Sequence, residues 1–118
     1  MISGALIGPN DTVVTVGSAA TFTCTATEEC SEPRLKWLFA AVVDRNFEYR
    51  YLNCKRSVDV MLMAPKCSIT LSNNNRTSSL TVDDVQLRDA GEYKCGACWN
   101  NGASKTKAVS KLSVIGKK

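Results

Sequence analysis

Cysteine is the residue type in this chain with the most chemical potential. The 118 residues contain six thiols, which lie at Cys24, Cys30, Cys54, Cys67, Cys95 and Cys98. An even number of cysteines in so short a chain predicts disulfides and therefore an oxidising, extracellular setting, either cell-surface or secreted. The count alone leaves the pairing open.

A second reading of the thiols is redox or metal chemistry, because Cys95-Gly96-Ala97-Cys98 has C-x-x-C spacing. A redox pair of that kind opens a helix in a βαβ unit, and a zinc site needs a second close pair of ligands. The sequence indicates no such helix, and it contains no histidine. We therefore expect neither a metal nor another cofactor.

Catalysis by other side chains is also disfavoured. Without histidine the chain lacks the usual general base and the usual nucleophile–base triads. The adjacent carboxylates Glu28-Glu29 and Asp83-Asp84 are expected to diverge from each other in turns or at strand ends. The sequence predicts that the protein is not an enzyme.

The charge is mildly basic, with 15 Lys and Arg against 11 Asp and Glu and a formal net charge of +4. This excess is too small and too dispersed to predict a nucleic-acid partner. Lys105, Lys107 and Lys111 are spaced along one expected strand, and we expect them to form a solvated face.

Two sequons agree with secretion. Asn10-Asp11-Thr12 and Asn75-Arg76-Thr77 predict glycosylation at Asn10 and Asn75. The sequence shows neither a secretory leader pattern nor an apolar run long enough to span a membrane. We expect any membrane anchor to lie outside this fragment.

The elements that must position these residues are short strands. Apolar and polar residues alternate in 20–26, 93–97 and 111–114, which is the period of a half-buried strand. Turn-forming residues separate such runs, and helical periodicity is weak throughout. The pattern predicts an all-β chain folded as a single domain over residues 1–118.

Cys24, Trp37 and the run Asp89-Ala90-Gly91-Glu92-Tyr93-Lys94-Cys95 together resemble the immunoglobulin superfamily, over nearly the whole chain. The resemblance implies a two-sheet sandwich with Greek-key topology, in which Cys24 and Cys95 bridge the sheets. It also implies that Trp37 packs on that disulfide and that the Tyr93 hydroxyl bonds to backbone near Asp89.

The interval between Trp37 and Lys94 is long enough for the extra edge strands of a variable-like domain, expected at 47–53 and 57–62. Lys66 stands where such domains usually carry an Arg that pairs with the Asp. We therefore expect a weaker, single-point ion pair between Lys66 and Asp89.

The last strand lacks the Phe-Gly-x-Gly motif of antigen-receptor joining segments and has Asn101-Gly102-Ala103-Ser104 in its place. This difference argues against a rearranging antigen receptor. It favours a germline-encoded immune-type or adhesion receptor.

The four remaining cysteines allow two pairings that suit such a sandwich. We favour Cys30–Cys98 with Cys54–Cys67, and the rival is Cys54–Cys98 with Cys30–Cys67. In either case the bridges would brace loops and lower the entropic cost of binding. They could equally serve stability alone.

A sheet face is the other candidate for binding, because Leu38 breaks the polar-outward alternation of its strand. Aromatic residues and interface-prone types are expected beside it. The predicted contact residues are Leu38, Ala40, Tyr49, Tyr51, Lys94, Gly96 and Trp99. They predict a protein partner, which could be a similar domain or a second copy in a homodimer; otherwise the tyrosines merely cover the sheet. The alternative function is a secreted innate recognition module that binds carbohydrate or microbial surfaces.

Overall fold

The computed structural model describes residues 6–7, 10–26, 34–43, 47–52, 54, 66–100 and 103–116; for 6–7, 98–100 and 103–106 it describes the backbone only. In these residues the chain forms strands and one short 3-10 helix, Leu87–Asp89. The strands are β1 Leu6–Ile7, β2 Thr12–Thr15, β3 Ala20–Ala26, β4 Lys36–Ala41, β5 Arg50–Tyr51, β6 Cys67–Ser72, β7 Thr77–Val82, β8 Gly91–Asn100 and β9 Ala103–Ile115.

The strands form two sheets, which confirms the predicted all-β sandwich. The four-stranded sheet has the order β1-β3-β7-β6 and the five-stranded sheet the order β2-β9-β8-β4-β5. The N-terminal segment contributes to both, because β1 pairs antiparallel with β3 whereas β2 pairs parallel with β9.

Of the two extra edge strands expected in a variable-like domain, the first is present as β5. Tyr51 lies opposite Leu38, and Arg50 lies opposite Phe39. The second, expected at 57–62, lies outside the described residues.

The apolar residues of the alternating strands form the core. In β3, Phe22 and Cys24 are buried while Thr21 and Thr23 are exposed on the other side. The inward residues of both sheets form one cluster with Val85, which lies between β7 and the 3-10 helix: Ala20, Phe22, Cys24, Trp37, Phe39, Leu80, Val82, Val85, Tyr93, Cys95 and Leu112. Complete burial of a large apolar side chain stabilises the fold by about 1.5–3 kcal/mol, so this cluster supplies the main driving force.

A disulfide joins the two sheets through this core. Cys24 in β3 and Cys95 in β8 are bonded, with their Cα atoms 6.5 Å apart and both residues fully buried. Trp37 lies opposite Cys95 in the β4–β8 pairing, and its indole N–H donates to Ser78 Oγ at 2.8 Å. The polar edge of the indole is thereby satisfied inside the core.

The tyrosine predicted at the corner lies between two aromatic rings. The Tyr93 ring stacks on Phe22 and Phe39, with centroids 5.0 and 4.6 Å away. Its hydroxyl donates to the Asp89 carbonyl at 2.7 Å, which ties β8 to the 3-10 helix. Burial raises the pKa of Tyr93, so the hydroxyl stays protonated and keeps this bond.

Asp89 differs from the expectation, because no ion pair joins it to Lys66 in the described part of the chain. Its buried Oδ2 instead accepts the Gln86 N–H at 2.8 Å and caps the 3-10 helix locally. Lys66 is exposed, and its carbonyl accepts the Asp83 N–H. Burial raises the pKa of Asp89, and the Gln86 N–H partly offsets that rise. The expected Lys66–Asp89 pair is wrong because the carboxylate is satisfied by its own turn.

Gly91 has a steric role in the Asp-Ala-Gly-Glu-Tyr segment. It lies in the β8–β4 pairing opposite Ala41 with φ of 155°, and a Cβ there would lie 2.1 Å from the Ala40 carbonyl oxygen. Such a contact is impossible without moving backbone. The close approach of β8 to β4 therefore requires glycine at position 91.

Candidate recognition surface

The outer face of the five-stranded sheet carries most of the predicted contact residues. The register aligns them in rows across the strands. Leu38 lies between Tyr51 of β5 and Lys94 of β8, and Lys94 lies opposite Val109 of β9. Leu38 is half-buried, Tyr51 is 58% exposed and Val109 is 48% exposed. This row forms a mixed apolar, aromatic and basic surface.

A hydrogen bond crosses the next row. The Tyr49 hydroxyl donates to Glu92 Oε1, and Glu92 lies opposite Ala40 in β8. Continuing the β4–β5 register by one residue places Tyr49 on the other side of Ala40. Tyr49 and Glu92 are thus joined across the middle strand, and Ala40 lies beneath them.

Two of the predicted contact residues do not reach the surface, so their assignment as contacts is wrong. Ala40 is on the outer side of β4 but is fully buried under the joined Tyr49 and Glu92. Gly96 is also buried, because it has no side chain to rise above Lys36 and Lys107, which flank it in its row. Strand alternation correctly predicts which side of the sheet each residue faces, but it does not predict how deeply that residue is buried.

Lys94 and Tyr49 are held against each other. The Lys94 Nζ lies 3.7 Å from the centroid of the Tyr49 ring, a cation–π contact. Burial, and then the hydrogen bond to Glu92 and its charge, raise the pKa of Tyr49 to about 12. Tyr49 is therefore a neutral donor at physiological pH, and Tyr49, Glu92 and Lys94 form a preorganised group.

Among the aromatic residues of this face whose side chains the structure describes, Tyr51 is the most exposed. It is 58% exposed, and Lys36 Nζ lies 5.7 Å from its ring centroid. By contrast, Tyr49 is half-buried and is also approached edge-on by Phe47, with centroids 6.1 Å apart. Tyr51 is therefore the better candidate for direct contact with a ligand.

The structure selects between the two cysteine pairings. Cys54 and Cys67 are bonded, with Cα atoms 5.0 Å apart and a sequence separation of 13. This bridge excludes the rival set, in which Cys54 pairs with Cys98 and Cys30 with Cys67. Cys30, and the side chains of Cys98 and Trp99, lie outside the described residues, so the Cys30–Cys98 bridge remains a prediction.

The outer face of the four-stranded sheet contrasts with the candidate surface. Its three described rows consist of Ser and Thr: Thr21, Thr81, Ser68; Thr23, Ser79, Thr70; and Thr25, Thr77, Ser72. Hydroxyl pairs bond across β3 and β7 at 3.1–3.3 Å. None of the described strands in this sheet contains a charged residue.

The strands of the five-stranded sheet instead carry five lysines, one arginine and a single carboxylate, Glu92. Lys107 and Lys111 are exposed, as expected for a solvated strand face, and Lys36 is exposed as well. Their grouping depends on strand register, which brings together positions far apart in the chain.

The remaining predicted positions are peripheral. Asn10 is exposed before β2, and Asn75 is exposed in the β6–β7 turn, where Asn73, Asn74 and Asn75 all have positive φ. Asparagine tolerates this conformation better than most residues. Among the described residues no cluster of His, Cys, Asp and Glu could hold a metal ion. The described helix is too short to cross a membrane.

The fold and its internal bonds define the class of protein. A two-sheet sandwich with an inter-sheet disulfide, a tryptophan beside it and a tyrosine corner is an immunoglobulin-type domain. The sequence model of the immunoglobulin domain family matches residues 5–98. The chain belongs to this family.

Solved structures are similar over nearly the full length. The first immunoglobulin domain of the mouse polymeric immunoglobulin receptor superposes with a TM-score of 0.68 at 17% identity, covering 97% of this chain and 96% of that one. A chain from a structure on T cell specificity and activation by the bacterial superantigen toxic shock syndrome toxin-1 gives 0.66 at 17% identity, covering 93% and 98%. At these identities the likeness establishes the fold alone. No curated protein matches the sequence.

Proposed function

We propose that this domain is the non-enzymatic, extracellular recognition part of an immune-type cell-surface or adhesion receptor. It binds a protein partner through the outer face of the five-stranded sheet and the adjoining cysteine-braced loops. The extracellular setting is supported by the two disulfides, which persist in oxidising compartments.

One observation supports this face above others. The exposed Tyr51 lies beside the half-buried Leu38 and close to the preorganised group of Tyr49, Glu92 and Lys94. Tyrosine supplies a large amphipathic contact area, and groups already held by neighbours lose little freedom on binding. The opposite face of Ser and Thr has hydroxyls that already bond to one another.

The test is binding of a fluorescent tetramer of the domain to intact cells. Tyr51→Ala should weaken binding by roughly five-fold or more, since truncating a hot-spot residue commonly costs more than 1 kcal/mol. Thr70→Ala, an exposed change on the opposite sheet, is the matched control and should bind as the wild type does. Pretreating the cells with protease should abolish binding.

Equal binding of wild type and Tyr51→Ala would overturn the assignment of this face. Binding that survives protease but is lost after enzymatic removal of cell-surface glycans would overturn the protein partner. Both variants are first checked for an unchanged melting temperature.

A further inference from the structure

Glu92 is a carboxylate of the candidate surface that is not among the predicted contact residues. It is half-buried in β8, and its Oε1 accepts the Tyr49 hydroxyl across the middle strand β4. Lys94, two residues further along the same side of β8, lies over the Tyr49 ring with its Nζ 3.7 Å from the ring centroid. Glu92 and Lys94 thus hold the hydroxyl and the ring of one tyrosine from the same strand.

We infer that Glu92 is a positioning residue of the candidate surface: it holds Tyr49 and thereby fixes β5, the strand that presents Tyr51. This inference rests on the proposed function, because the position of Tyr51 matters for recognition only if this face binds the partner. It adds to that function a residue that controls binding through Tyr49 and β5 instead of through contact with the partner.

The strand β5 needs such support because it is short. It consists of Arg50 and Tyr51 alone, and both pair with β4. A two-residue strand at the edge of a sheet opens easily, since few backbone bonds hold it. Its C-terminal end is anchored by Leu52, which packs against the core and whose N–H donates to the Trp37 carbonyl at 3.0 Å. Tyr49, the residue directly before the strand, provides the corresponding anchor at its N-terminal end.

The bond between Tyr49 and Glu92 spans two strand separations. The two residues lie on either side of Ala40, so their Cα atoms are about 10 Å apart at the usual spacing of strands. Their side chains can meet above the middle strand only if the side chain between them is short, and Ala40 is fully buried beneath them. Ala40 therefore contributes to this arrangement by its small size, and a larger residue there would separate Tyr49 from Glu92.

Glu92 also acts on Lys94 through its charge. Burial lowers the pKa of Lys94, as does the positive charge of Lys107, and the Glu92 carboxylate acts in the opposite direction. Glu92 therefore favours the charged form of Lys94, which is the form that binds the face of an aromatic ring. Loss of Glu92 would remove the acceptor of the Tyr49 hydroxyl and would also weaken the contact of Lys94 with the ring.

The experiment measures amide hydrogen exchange of the purified domain by NMR. The reporter amides are Leu52, whose N–H donates to Trp37, and Arg50, whose N–H faces β4 two residues earlier. Glu92→Ala and Tyr49→Phe should each speed exchange at both reporters by roughly five-fold or more, since each removes the hydrogen bond that holds the start of β5. Glu92→Gln keeps an oxygen that accepts the hydroxyl and should stay within about three-fold of the wild type, since a neutral hydrogen bond then replaces a charged one.

Asp83→Ala is the matched control, because it removes an exposed carboxylate outside this sheet and changes the net charge by the same amount as Glu92→Ala. It should leave exchange at both reporter amides unchanged. The Val16 amide, which donates to the Ile115 carbonyl at the end of the β2–β9 pairing, is the internal reference. Its exchange should be the same in every variant, which would show that the effect of Glu92 is local to β5.

Unchanged exchange at the reporter amides in Glu92→Ala and Tyr49→Phe would overturn the positioning role. Equal acceleration at Val16 would also overturn it, because the substitutions would then act through the stability of the whole domain.

The cell-binding assay separates this inference from the proposed function. Glu92→Ala should weaken binding of the tetramer by roughly two-fold or more, because β5 would have to be ordered on binding. Unchanged binding of Glu92→Ala alongside weakened binding of Tyr51→Ala would overturn the inference and leave the proposed function standing. If Tyr51→Ala binds as the wild type does, the proposed function fails, whereas hydrogen exchange is measured without any partner.

Discussion

Two serines in the core are equally buried but differ in hydrogen bonding. Ser78, 0% exposed, accepts the Trp37 indole N–H at 2.8 Å. Ser110, 1% exposed and opposite Tyr93 in the β8–β9 pairing, has an Oγ without a partner among the described residues. A buried hydroxyl without a partner keeps its desolvation cost, whereas a bonded one offsets it.

Matched substitutions should therefore have different effects on stability. Ser78→Ala leaves the Trp37 N–H buried and unpaired and should lower the free energy of unfolding by about 1–3 kcal/mol. Ser110→Ala removes a buried hydroxyl that makes no hydrogen bond among the described residues. This change should leave the free energy of unfolding unchanged or raise it by roughly 1 kcal/mol. Urea unfolding of the two variants measures both. A loss at Ser110 as large as that at Ser78 would mean that Ser110 Oγ has a partner.

At this scale the resemblance anticipated contacts inside the core better than contacts near the surface. The Tyr93–Asp89 bond follows from a motif whose residues lie four apart, so little else in the chain can change it. The Lys66–Asp89 pair depended on a long side chain reaching a carboxylate from elsewhere. Asp89 had a nearer donor in the Gln86 N–H, and no sequence spacing reveals that competition.

At the scale of elements, the two described disulfides differ in what they constrain. Cys24–Cys95 spans 71 positions and both sulfurs are buried, whereas Cys54–Cys67 spans 13 and both residues are partly exposed. The chain-entropy model assigns about 4 kcal/mol to the longer loop and about 3 kcal/mol to the shorter. Removal of the core pair also leaves space in the packed interior.

The double variant Cys24→Ala/Cys95→Ala should therefore lose more stability than Cys54→Ala/Cys67→Ala. Denaturant unfolding of both, compared with wild type under non-reducing conditions, ranks them. A larger loss from the edge pair would contradict the assignment of the Cys24–Cys95 bridge as the main tie of the sandwich. The same measurement on the double variant Cys30→Ala/Cys98→Ala would give the contribution of the third predicted bridge to the free energy of unfolding.

The strands themselves could be predicted from alternation, but the height of each side chain above its sheet could not. Ala40 and Gly96 were assigned to the outer side from the period of two, and the register places them there. Both are buried because larger residues on neighbouring strands rise over them. Such cover depends on which strands are adjacent, which is a property of the folded sheet and not of any single strand.

At the scale of the whole molecule, charge is divided between the two sheets. The described strands of the four-stranded sheet carry none, whereas those of the five-stranded sheet carry six basic residues and one acidic residue. The formal net charge of +4 gave no hint of this division. It arises because Lys36, Lys94 and Lys107, distant in sequence, become neighbours only through the β4–β8–β9 pairing.

This division bears on the predicted homodimer. A symmetric dimer formed through the five-stranded sheet would bring the lysines of the two copies towards each other, because an isologous interface uses the same patch twice. Like charges at short range oppose association, and dissolved salt weakens this repulsion because the Debye length is about 10 Å at 0.1 M ionic strength and shortens as salt is added. Any dimer formed by this face should therefore be weak at low salt and become tighter as salt is added.

Sedimentation equilibrium at low and high sodium chloride tests this last prediction. The wild type should associate more strongly at high salt, and Leu38→Glu should abolish the association by placing a charge in the half-buried centre of the interface. Thr70→Glu, on the opposite sheet, should dimerise as the wild type does. Self-association that weakens with salt, or that survives Leu38→Glu, would show that another surface joins the copies. A monomer at every salt concentration would exclude the second copy as partner and leave this face to other ligands.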